Sequence, residues 1–191
     1  MKFLYVLFLI VLNLSVFAQQ NNPKIYQWSV AKNAHPDTIF GITFEKMKLK
    51  EVPKELQAFK QLNTLLFSNN KLSQLPDFMG EFNKLQSLDI SKNNFTVFPA
   101  VICQLTELKR FIANRNPMEY LPECVGYCEK LVYVDLWDTP IGTFPTSFKA
   151  LKNLKKLDLQ GISYPESFQR ELKQQMPTVE ILFDAPCNCL R

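Results

Sequence analysis

From Ile39 onward the apolar residues keep a register that is neither the 3.6-residue period of a helix nor the clean alternation of a strand. In Leu85–Pro99, LQSLDISKNNFTVFP, apolar residues fall at positions 1, 4, 6, 11 and 14, with Asn at 9 and Pro at 15. The register returns every 23 residues, from Ile39, Leu62, Leu85, Leu108, Leu131 and Leu154. Position 4 holds Ile42, Leu65, Leu88, Phe111, Val134 and Leu157; position 6 holds Phe44, Phe67, Ile90, Ala113, Leu136 and Leu159. Proline recurs at position 15 as Pro53, Pro76, Pro99, Pro122 and Pro145, and is missing from the sixth copy. Apolar residues return at positions 18 and 21, as in Leu56 and Phe59 or Ile102 and Leu105. A period of this length marks a unit that cannot bury its apolar face alone and must stack on its neighbours.

Each copy predicts the same elements. Positions 4 and 6 point inward from a short strand while 3, 5 and 7 point outward. Positions 11 and 14 supply a second core wall, and the proline opens a helical turn where its missing N–H costs little. At position 9, Asn70, Asn93 and Asn116 are read as structural, because a buried amide can satisfy backbone groups that a turn would orphan. Met47, Thr139 and Ile162 replace them in the other copies, so this feature is expected to weaken toward both ends. Tyr26, Trp28, Val30 and Ala34 are expected to form a short helix or strand over the first coil, with His35-Pro36-Asp37 turning into it. Beyond Leu159 the pattern slips. Pro165 to Met176 then reads as a regular helix with Phe168, Leu172 and Met176 on one face, and Val179 to Phe183 as a final strand.

The arrangement LxxLxLxxNxLxxLPxxhxxLxx resembles the leucine-rich repeat family, over roughly residues 39–183. The resemblance implies an α/β fold: a right-handed solenoid with a short parallel sheet on its concave face and helical or 3₁₀ segments on its convex side. It also implies that the asparagines stack as a ladder, and that the molecule is a non-enzymatic interaction scaffold. The expected organisation is a signal peptide at 1–18, an N-terminal cap at 19–38, the solenoid at 39–183 and a tail at 184–191. The solenoid's six repeats start at 39, 62, 85, 108, 131 and 154, followed by the last strand near 179–183.

The first residues, MKFLYVLFLIVLNLSVFAQQ, have a lysine, an unbroken apolar run from Phe3 to Leu12 and short residues before a cut at Gln19. That is the layout of a secretory signal, and ten apolar residues are too few to span a bilayer. An exported bacterial-type chain is expected, periplasmic, cell-surface or secreted, with no membrane insertion after cleavage and as a monomer. Hydrophobic residues at 47% and charged residues at 21% are ordinary for a folded domain. A net charge of +4 without a run of like charges argues against nucleic acid.

Five cysteines carry weight in an oxidising compartment. Cys128 takes a core position, Cys103 and Cys124 fall where adjacent convex turns meet, and Cys187 and Cys189 form a C-x-C pair near the end; the pairing is left open. His35 is the single histidine and has no spaced partners for a metal, and no cofactor, metal or catalytic motif is found. Asp135 and Asp158 form an adjacent carboxylate pair. With Arg110, Arg115 and Lys156 near enough to balance them, and no enclosed pocket to perturb a pKa, catalysis is not expected.

Function is then left to the outward positions. In the fourth and fifth copies Arg110, Ile112, Arg115, Tyr133, Asp135, Trp137 and Asp138, joined by Lys156, make one patch of hot-spot residue types. A protein or peptide partner on the concave face is expected. Carbohydrate recognition on Trp137 and Tyr133, and a self-associating structural module, are the alternatives.

Overall fold

A computed structural model describes residues 24–186. The signal-like segment 1–18 and the Cys187/Cys189 pair lie outside the described residues. Eight strands of three residues each form one parallel sheet in chain order: β1 (Ile25–Gln27), β2 (Gly41–Thr43), β3 (Thr64–Leu66), β4 (Ser87–Asp89), β5 (Arg110–Ile112), β6 (Tyr133–Asp135), β7 (Lys156–Asp158) and β8 (Glu180–Leu182). Between β2 and β7 equivalent residues pair at every step, so Leu65 faces Leu88 and Val134 faces Leu157. Strands β2 to β7 occupy positions 3 to 5 of their repeats, and β1 and β8 extend the sheet by one strand at each end. The chain therefore winds as a leucine-rich repeat solenoid, one strand per coil.

The return path follows from the prolines. Each of the first four sits in an extended conformation just before a 3₁₀ turn: Lys54–Ala58, Asp77–Glu81, Ala100–Gln104 and Glu123–Tyr127. Its carbonyl accepts from the N–H three residues on, as Pro99 does from Ile102 at 2.9 Å. After Pro145 the turn becomes a short helix, α2 (Thr146–Lys149). Positions 4, 6, 11, 14, 18 and 21 meet in one continuous core between sheet and turns, where Phe44, Phe67, Phe95, Phe111 and Phe148 are buried.

The asparagine ladder is built from measurable bonds. The Asn93 amide donates to Phe67 O of the preceding coil at 2.9 Å and to Ile90 O of its own coil at 3.0 Å, while its Oδ1 accepts from Leu72 N at 2.9 Å. Asn70 and Asn116 repeat the pattern one coil away on either side. Thr139 keeps only the donor half, reaching Ala113 O at 3.3 Å, and Met47 is exposed. Polar satisfaction thus fades where the amide is lost.

The ends close differently. At the N-terminus β1 runs into a single helical turn, α1 (Trp28–Ala31), and Trp28 packs on Phe44 with ring centroids 5.0 Å apart. Val30 does not join this lid; it is 56% exposed, because a one-turn helix turns only one side to the core. At the C-terminus α3 (Glu166–Gln175) begins after Pro165 and buries Leu172, with Met176 buried just beyond its end. Gln169 is also buried there, donating to Tyr164 O at 3.1 Å and Asp184 O at 3.2 Å, a polar anchor that the apolar spacing did not reveal. Cys103 and Cys124 form a disulfide between adjacent convex turns, and Cys128 is a buried free thiol whose Sγ lies 3.3 Å from Ile102 O.

Candidate functional site

Strand geometry places the outward residues of β5, β6 and β7 side by side. Arg110 pairs in register with Tyr133 and Tyr133 with Lys156; Ile112 pairs with Asp135 and Asp135 with Asp158. The Arg110 guanidinium lies over the Tyr133 ring at 4.3 Å, and that of Arg115 over the Trp137 ring, also at 4.3 Å. Arg115 Nε is 3.5 Å from Asp138 Oδ2. Lys156 Nζ is 3.3 Å from Glu180 Oε1. All eight residues singled out in the sequence occupy these strands or the turns after them.

Their electrostatics differ from the sequence expectation in two respects. Arg115 and Lys156 contact Asp138 and Glu180 and Arg110 stacks on Tyr133, so none forms a direct ion pair with Asp135 or Asp158, and balance comes only at longer range, from the Lys156 charge, which favours ionised Asp158. Nor is the sheet too shallow to perturb a carboxylate. Burial pushes Asp89 above the ordinary carboxylate range, and burial followed by the neighbouring Asp135 charge does the same to Asp158. The Tyr133 hydroxyl is raised as well, first by burial and then by Asp135.

The position-5 aspartates also do structural work that the pattern did not disclose. Asp89 Oδ1 accepts from Ser91 N at 2.8 Å, Asp135 Oδ1 from Trp137 N at 3.0 Å, and Asp158 Oδ1 from Gln160 N at 3.1 Å. Thr43 plays the same part for Glu45 N. Each side chain caps the N–H two residues on, where the strand ends. The available signal was the Asp two residues before the turn. Asn114, also missing from the candidate residues, donates to Asp135 Oδ2 at 2.8 Å. Beside it a polar hollow of about 310 Å³ opens on the concave side, lined by Ser68, Asn69, Ser91, Lys92 and Asn114 among others. Among the described residues no group of three His, Cys, Asp or Glu side chains is placed to hold a metal.

The Leucine Rich Repeat family model matches residues 84–105, nearly one period of the 23-residue register. The chain is a leucine-rich repeat protein. A solved leucine-rich repeat protein of Leptospira interrogans is 28% identical, with a TM-score of 0.69 over 76% of this chain and 37% of its own. An internalin from Listeria monocytogenes is 15% identical, with a TM-score of 0.65 over 78% of this chain and 42% of its own. Internalin C2 of the same organism is 14% identical, with a TM-score of 0.64 over 78% and 62%. The two internalins share the fold. This leucine-rich repeat chain spans between 37% and 62% of the length of these structures. No curated protein sequence matches it. Among the described residues no helix is long and apolar enough to cross a membrane.

Proposed function

We propose that the chain is a non-enzymatic interaction module that holds a protein or peptide partner on the concave face of β5, β6 and β7. One observation carries this reading: two arginines are already stacked, at 4.3 Å, on an aromatic ring of the next coil. Arginine, tyrosine and tryptophan dominate binding hot spots, and side chains fixed before binding lose less entropy on contact. The same stacking disfavours carbohydrate recognition, because a guanidinium already covers one face of each ring a sugar would need. Fold likeness to bacterial leucine-rich repeat proteins is consistent with a scaffold. The Cys103–Cys124 bridge fits an oxidising compartment, in keeping with an exported chain.

The test is a cross-linking pull-down from surface and secreted extracts, with the mature protein and with a Tyr133→Ala, Trp137→Ala bait whose folding is checked by its melting curve. The expected outcome is one partner captured by the first bait and lost by the second, with roughly 100-fold weaker binding when the pair is measured directly. Equal capture by both baits overturns the concave-face assignment.

A further inference from the structure

Seven described residues have positive φ. Six are position 8 of the six coils, Lys46, Asn69, Lys92, Arg115, Asp138 and Gly161, and the seventh is Lys48. The left-handed region is cheap for glycine and tolerable for asparagine, and costs other L-residues about 1–2 kcal/mol. Gly161 and Asn69 show what the position accepts at little cost. Four of the seven are nevertheless Lys or Arg, where a chain with 22 basic residues in 191 would place about one. All four lie on coils 1 to 4, along the margin where strands turn into loops. Backbone strain retained in this way is commonly a mark of function.

The cations on this margin project; two of them are answered locally, Lys46 Nζ lying 3.0 Å from the exposed Glu45 and Arg115 Nε 3.5 Å from Asp138, and the others are not. Lys46, Lys48, Lys92 and Arg115 are exposed, as is Lys71 just after the second of these turns. Among the described residues Lys48, Lys71 and Lys92 form no ion pair with an acid. Asp89, by contrast, is half-buried and spends one oxygen on Ser91 N. Over coils 5 and 6 the sign changes, with Asp138 at position 8 and Asp135 beside Asp158.

Resting on the interaction reading above, we propose that the partner is a polypeptide presenting an acidic stretch to the margin of coils 1 to 4. Neighbouring coils are about 4.8 Å apart, so Lys46, Lys92 and Arg115 span roughly 14 Å, the length of four or five extended residues. A polypeptide fits better than a uniformly charged polymer. Past Arg115 the occupant meets Trp137 and the aspartates, and only a chain of changing residues can answer both halves. Charge complementarity of this kind sets the association rate and its salt dependence.

The experiment uses fluorescein-labelled oligoglutamate and oligolysine peptides, with dextran sulfate as a competitor, read by anisotropy. Lys46→Asn, Lys48→Asn and Lys92→Asn are combined, since asparagine keeps the left-handed turn and removes the charge. Oligoglutamate is expected to bind the parent protein, to weaken steeply between about 50 and 200 mM salt, and to bind the triple variant at least about tenfold less tightly. Equal binding by the variant, or by oligolysine, overturns the proposal. Dextran sulfate that binds more tightly than oligoglutamate at equal charge, and is lost in the variant, replaces the polypeptide with an anionic polymer. If a partner needing Tyr133 and Trp137 is captured unchanged by the triple variant, this proposal falls and the interaction reading stands. If oligoglutamate binds as expected but capture ignores Tyr133 and Trp137, the interaction site falls instead.

Discussion

Asp89 combines a structural bond with an unfavourable charge. Its carboxylate caps Ser91 N, yet burial raises its pKa above that of a free aspartate, so folding favours the neutral form. The consequence has a definite sign. A carboxyl whose folded pKa exceeds its unfolded one costs stability fully above the folded value, and the cost vanishes as pH falls below the unfolded value. Asp89→Asn keeps an oxygen acceptor for Ser91 N and removes the charge. Its melting temperature is expected to equal or exceed that of the parent at pH 7, with the gap closing below about pH 4. Thermal melts across that range check it; a lower melting temperature at pH 7 would mean that the ionised carboxylate is needed. Asn93 illustrates the other kind of polar residue, whose bonds to two coils could be foreseen because an amide among apolar positions must find partners. Asp89 was announced only weakly, by its place two residues before the turn, since an outward aspartate looks much the same in sequence whether or not it folds back on its own turn.

Among the elements, the convex 3₁₀ turns contribute few hydrogen bonds of their own and rely on stacking. Cys103 and Cys124 staple the turns Ala100–Gln104 and Glu123–Tyr127 across a sequence separation of 21 residues. Constraint of a loop that size in the unfolded chain stabilises by about 3 kcal/mol. Replacing both cysteines by alanine is therefore expected to lower the melting temperature by roughly 10 °C, measured against the oxidised parent. A loss below about 1 kcal/mol would indicate that stacking alone fixes these turns. The spacing placed the two cysteines on adjacent convex turns, but five cysteines permit many pairings. Cys128, four residues from Cys124, is kept apart because it points into the core, where burial pushes its thiol up to about 11.

Across the whole molecule each coil touches chiefly its neighbours, so stability is distributed along one axis. The middle coils are flanked on both sides and carry the full amide ladder, whereas β1 and β8 each have a single strand neighbour. Hydrogen exchange followed by mass spectrometry is expected to show slowest exchange in β3 to β5 and fastest in β1 and β8. Uniform protection from end to end would show instead that the solenoid opens only as one unit.

The sequence by itself determined the period, the core positions, the strand on each coil, the asparagine ladder and the convergence of Arg110 to Lys156 on one face. A 23-residue register repeats the same geometric solution, so a residue's place in the repeat assigns its neighbours. Only the tertiary structure decided what those outward side chains do: that guanidiniums cover the Tyr133 and Trp137 rings, that the position-5 aspartates bond their own backbone, and that position 8 is left-handed in every coil. The reason is physical. Core positions are fixed by the removal of apolar surface from water, which depends on residue type and period. Surface partners are chosen by distances between coils and by local backbone angles, which the register does not encode.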